Sequence, residues 1–146
     1  MLDMNSDKGA ALEEQPLGYL MYRVVAVLQP RVSAQLQPLG LKLPEFVCLR
    51  ILSMAPGQSN AELARHTNVS PQAMNNVLRG LQDRGAVRRP ATVDSGRALP
   101  AELTAEGAEL LARAEAAVYA AEEEVLDRLD TEQRRELKRL LAHAVP

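Results

Sequence analysis

Gln72, Asn75, Asn76 and Arg79 are the residues of this chain whose types and spacing could do specific chemistry. Asn and Gln amides offer a donor and an acceptor side by side, which matches the exposed edge of adenine. The forked guanidinium of Arg matches guanine or a phosphate. All four point away from Met74, Val77, Leu78 and Leu81, which recur at helical spacing and form one apolar stripe. Ser70 and the free N–H groups of the turn it begins suit a phosphate oxygen. Taken alone, these residues could equally be an ordinary solvated helix face. What surrounds them favours contact with DNA.

The elements that must hold this face are legible on both sides. Ser59 with Glu62 has the capping-box pattern, and Leu63 and Ala64 supply the inward side of a short helix ending near His66–Thr67. Asn68 suits a tight turn because its side chain tolerates left-handed backbone, and Val69 plugs the angle between two helices. Ser70-Pro71 restarts the chain as N-cap and first helical residue, and Gly85 closes the second helix. Beyond it, 86–89 and 99–103 read as two short strands around a turn at 92–96, with Pro90 and Pro100 confining both to edge roles. Helix, turn, helix and hairpin in this order describe a winged helix-turn-helix.

Charge supports that reading. Between Pro71 and Arg97 stand five arginines and two aspartates, a local +3 in a chain whose net charge is −2. A basic patch on an acidic protein is the footprint expected for a polyanion. Arg84, Arg88, Arg89 and Arg97, with Ser95 at the hairpin tip, therefore join Ser70, Gln72, Asn75, Asn76 and Arg79 as the expected DNA-contacting set.

The frame is helical. At 146 residues, with 47% hydrophobic and 3% aromatic residues and no Trp, the chain suits helices packed on helices in one domain. Leu17, Leu20, Met21, Val24, Val25, Leu28, Val32 and Leu36 mark a long amphipathic helix, interrupted by Pro30 and ended by Pro38-Leu39-Gly40. Pro44 begins a helix apolar almost all round, expected at the centre of the structure and ended by Pro56-Gly57. Thr104 caps a long helix to about Leu129, and Asp130 or Thr131 caps a last one through Leu141. Leu110, Leu111, Val118, Val125, Leu129, Leu137, Leu140 and Leu141 exceed what one bundle end needs. Either they close an intramolecular bundle, or terminal helices of two chains interdigitate. Residues 1–15 read as a loose tail, 44–103 as the winged lobe, and 16–38 with 104–144 as dimerisation helices of a single domain spanning 16–146.

Several classes are disfavoured. No apolar run approaches membrane-spanning length, and the acidic, polar N-terminus is unlike a secretory signal, so a cytoplasmic protein is expected. The single cysteine, Cys48, leaves no internal disulfide and reads as a buried structural thiol. His66 and His143 stand apart from any cluster a metal would need. Without a Ser/His/Asp set or a Gly-rich phosphate loop, no enzymatic activity and no cofactor are expected.

From Pro16 to about Ala144 the chain resembles the MarR family of transcriptional regulators. The most specific resemblance is Arg97 followed by Leu103-Thr104-Ala105-Glu106-Gly107, similar to the family's D-x-R wing tip and its "LT-x-x-G" helix start. Here the position two before the arginine is Ser95, with Asp94 one place earlier. The resemblance implies a homodimer of mainly α fold with a small β wing. It would be a repressor of a palindromic operator with half-sites about ten base pairs apart. It further implies release by a small phenolic or aromatic carboxylate between the dimerisation helices and the DNA lobe. Arg23 would grip that carboxylate, with Tyr19, Tyr22, Phe46 and Arg50 lining the cleft. The competing reading pairs Arg23 with a surface glutamate and buries the tyrosines in a dimer interface. A transcriptional activator of the same fold, or a winged-helix protein-interaction module without DNA binding, are the alternatives.

Overall fold

The computed structural model describes residues 11–89 and 100–146. The expected turn at 92–96, Ser95 and Arg97 lie outside the described residues, as does most of the expected tail, of which 11–13 are helical.

α1 runs Leu17–Leu36 and continues through Pro30. A short 3-10 turn, Gln37–Leu39, follows and closes at Gly40, whose φ of +67° is a left-handed conformation that suits glycine. α2 spans Leu43–Met54 with Pro44 in its first turn. Its composition suggested a position at the centre. Instead Cys48, Leu49 and Leu52 are buried, Phe46, Val47 and Ile51 are only half-buried, and Arg50, Ser53 and Met54 are exposed. The lobe therefore covers one face of α2.

α3 (Asn60–Thr67) and α4 (Pro71–Asp83) pack on each other and on α2. Leu49, Leu52, Leu63, Met74, Leu78 and Leu81 are at most 1% exposed and make the lobe's core. Each such side chain contributes about 1.5–3 kcal/mol of apolar burial.

The sheet is smaller than the sequence suggests. β1 (Val87–Arg88) pairs antiparallel with β2 (Glu102–Leu103), Val87 opposite Leu103 and Arg88 opposite Glu102. A third segment joins it: Ala101 N–H donates to Gln58 O (2.9 Å) and Gly57 N–H donates to Ala101 O (3.0 Å). α5 (Ala105–Val125) stops short of Leu129, in a set of turns. α6 (Thr131–Ala144) starts from Asp130, which exchanges two hydrogen bonds with Gln133.

By backbone proximity the chain forms two compact units, Met1–Arg31 with Ala121–Pro146, and Val32–Ala120. In the first, Arg31 pairs with Glu124 and Lys138 with Glu122. Leu17, Tyr22, Val27 and Leu140 in that unit are more than half exposed. In the second, the winged lobe is sealed by Thr104, whose hydroxyl donates to Gly85 O (2.6 Å) and accepts from Gly107 N–H (3.0 Å).

Candidate nucleic-acid interface

Two N-caps set the helix pair. Ser59 Oγ accepts from Glu62 N–H (3.2 Å), while its own hydroxyl reaches Glu62 Oε1 (3.1 Å), so the reciprocal arm of the expected capping box is replaced by a side-chain bond. Between the helices Asn68 takes φ 55°, the left-handed turn its side chain suits. Ser70 Oγ then accepts from Ala73 N–H (3.1 Å) and opens α4 with Pro71 at its first position. Asn60 adds a tie the sequence did not reveal: its Nδ2 donates to Pro71 O (3.0 Å), fixing the start of α4 against α3.

On α4, Met74, Leu78 and Leu81 are fully buried and Val77 half-buried. Ser70, Gln72, Asn76 and Arg79 are exposed, while Asn75 is half-buried beside the stripe. Gln72, Asn76 and Arg79 have no side-chain partner among the described residues, so their full hydrogen-bonding capacity faces outward. An exposed, unspent amide–guanidinium face at the N-terminal half of a helix is what base-edge recognition needs.

The arginines that follow are not equivalent. Arg84, though exposed, is engaged by the lobe's own backbone: Nη1 donates to Gly40 O (3.0 Å) and Nη2 to Leu39 O (2.8 Å). Arg88 is exposed and pairs loosely with Glu102 across the sheet (3.4 Å). Arg89 is half-buried, with Nε and Nη2 shielded and unpartnered, and burial pulls its pKa below the usual arginine value. Strand alternation puts Arg88 outward and Arg89 inward. Nearby, burial pushes the Cys48 thiol up to about 12, with Arg89 as the opposing, smaller influence. A thiol held this firmly in its neutral form is a poor nucleophile.

The residues expected to hold a small carboxylate fall in two places. Tyr19, Tyr22 and Arg23 lie on α1 in the first unit, all exposed. Tyr19 lines a shallow recess of about 420 Å³ with Ala11, Leu12 and Gln15. Arg23 makes no ion pair with a glutamate among the described residues. Phe46 and Arg50 lie one turn apart on α2 in the second unit, where Arg50 pairs with Glu115. Its guanidinium is already engaged.

Comparison with known proteins decides the family. A MarR family profile matches residues 41–99. The chain is 66% identical over 129 residues to the HTH-type transcriptional repressor Rv2887 of Mycobacterium tuberculosis, covering 88% of this chain and 93% of that protein. The chain belongs to the MarR family. Among solved MarR structures it is similar to Rv2887 in complex with DNA, with a TM-score of 0.79 and 60% identity over 91% of this chain and 100% of the other. Rv2887 in complex with salicylic acid gives 0.77 and 63%, over 92% and 99%. Escherichia coli MarR in its apo form gives 0.77 at 24% identity over 90% and 98%, a likeness of fold alone. The mainly α fold with a small β wing is thus the fold of this MarR protein. Among its described helices none is long and apolar enough to cross a membrane.

Proposed function

We propose that this chain is a homodimeric, sequence-specific DNA-binding repressor that leaves a palindromic operator when a small aromatic carboxylate binds. One observation carries the reading: the outward amides and guanidinium of Gln72, Asn76 and Arg79 on α4 have no side-chain partner among the described residues. A relative with 66% identity is a named repressor, and its structures include complexes with DNA and with salicylic acid. Ser70, Gln72, Asn75, Asn76, Arg79 and Arg88 form the proposed contact set, with Ser95 and Arg97 added from sequence. Arg84 and Arg89 leave it, because the first is bonded to backbone carbonyls and the second turns inward.

Dimerisation is supported by the uncovered apolar side chains of α1 and α6, notably Leu17, Tyr22 and Leu140. Side chains of this kind in such number on one unit favour burial against another chain. For the effector, Arg23 has no ion-pair partner among the described residues and stands on α1 with the exposed Tyr19 and Tyr22, and we assign it the carboxylate. Arg50 is better accounted for by Glu115. Binding must favour a state of the dimer that fits DNA less well, since only differential affinity moves an equilibrium. A DNA-binding role is consistent with a cytoplasmic protein, and no catalytic step is assigned.

Footprinting on the DNA adjoining its own gene, without and with salicylate, tests the whole proposal. A protected palindrome that salicylate exposes is the expected result. Protection nowhere, or the same weak protection everywhere, overturns it.

A further inference from the structure

Arg84 joins two helix ends. At the C-terminus of α4, Gly85 N–H donates to Gln82 O (2.9 Å) and Ala86 N–H to Leu81 O (2.9 Å). At the end of the first helical segment, Gly40 N–H donates to Gln37 O (2.9 Å) and Leu41 N–H to Leu36 O (3.3 Å). Both are left-handed glycine terminations, with φ +76° at Gly85 and +67° at Gly40. Arg84 is the cap residue of α4, and its guanidinium donates to the two carbonyls that the second termination leaves over, Leu39 O and Gly40 O. A cation at terminal helix carbonyls is favoured by the dipole that ends there. Leu36 (0% exposed) and Leu41 (3%) anchor that corner in the lobe's core, so the carbonyls are fixed points.

The amides of α4 lie away from that end of the same helix, Gln72 in its first turn and Asn76 near its middle. Along the axis Gln72 lies roughly 18 Å from Arg84 and Asn76 roughly 12 Å, so a tilt of about 10° at the clamp moves them by about 3 Å and about 2 Å. That exceeds the tolerance of a hydrogen bond to a base edge. We infer that Arg84 is a positioning residue for DNA recognition: by clamping the C-terminus of α4 to Leu39 and Gly40 it sets the angle at which Gln72, Asn76 and Arg79 enter the groove, without touching DNA. The inference rests on the DNA-binding reading of α4 and replaces the phosphate contact that sequence suggested for Arg84.

The test uses the full-length protein with Arg84→Met, which keeps the stem and removes the donors, and Arg84→Lys, which cannot fork to two carbonyls. Affinity is measured across a salt series for the duplex protected in the footprint and for an unrelated duplex of equal length. Arg84→Met should lose about tenfold on the protected duplex, equivalent to about 1.4 kcal/mol, with little change on the unrelated one and an unaltered salt slope. Arg84→Lys should fall between. A variant that merely loosened the fold would weaken both duplexes together. Equal losses with a slope shallower by about 0.9 would make Arg84 a phosphate contact and overturn the inference, as would no loss at all. Amide hydrogen exchange keeps the two readings separable. Gly40, Leu41, Gly85 and Ala86 should lose protection together in Arg84→Met while Leu63 to Asn68 keep theirs. Were wild-type protein to show no duplex preference, the proposed function would fall, and unchanged exchange at those four amides would independently remove the clamp.

Discussion

A β-carbon on Gly107 would lie 2.0 Å from the carbonyl oxygen of Ala86, so the backbone at the start of α5 is pressed directly against the strand that leaves the recognition helix. The obstacle is main chain on both sides, and main chain cannot rotate away. Thr104 completes the junction by bonding Gly85 O and Gly107 N–H at once.

Gly107→Ala should therefore destabilise the protein by at least the ~1–3 kcal/mol typical of overpacking. In a thermal melt its midpoint should drop by several degrees, as a ΔΔG of about 1 kcal/mol moves a chain this size by roughly 2–8 °C. Gly80→Ala makes the comparison: a β-carbon there meets nothing within 4 Å. Since alanine also favours a helix interior, that variant should melt no lower than the parent.

Asn76→Ala and Arg79→Ala should fail differently. If the Asn76 amide reads a base, its loss should cost about 1–3 kcal/mol at particular operator positions and leave the salt slope alone. If Arg79 holds a phosphate, its loss should weaken all duplexes and reduce the slope by about 0.9. Competition assays with single-base operator variants at two salt concentrations separate them; wild-type behaviour from both would remove α4 from the interface.

Cys48 gives a pH signature. Its thiol is raised to about 12 in the folded protein, against about 8.5 in an unfolded chain. The unfolded state therefore loses this proton first. The stabilising contribution is complete below about pH 8.5 and declines as pH rises toward the folded value. Urea titrations should show stability falling above about pH 8.5 more steeply than in Cys48→Ala. The thiol should resist Ellman's reagent in native protein and react on unfolding.

Tyr22→Glu and Leu140→Glu place charge on exposed apolar positions of the first unit. Sedimentation should show both variants shifted toward monomer with the helical signal of the lobe retained. A parent that sediments as a monomer at micromolar concentration would remove the dimer from the proposal.

The recognition helix was legible because its signals are local. Ser70-Pro71 fixes the start, and the stripe of Met74, Leu78 and Leu81 fixes the face, so a pattern within about three turns suffices. The sheet was less so. Two-residue strands carry almost no alternation, and Gln58 joins Ala101 from a loop with no strand pattern. Arginine roles were the least legible. Arg84, Arg88 and Arg89 look alike as letters, yet one grips carbonyls more than forty positions away, one pairs across the sheet and one turns inward. A backbone carbonyl has no letter, so a side chain's devotion to one leaves no trace in sequence. The Asn60 tie is illegible for the same reason, its acceptor being the carbonyl of Pro71.

The unspent amides of α4 also set how errors would be punished. In free protein Gln72 and Asn76 are hydrated, and a groove that accepts them must strip that water. Against a matching base the exchange is nearly even, because one set of bonds replaces another. Against the wrong base a dehydrated donor or acceptor is stranded, at about 1–3 kcal/mol. Discrimination would then come chiefly from the penalty of misfit and less from the strength of the match.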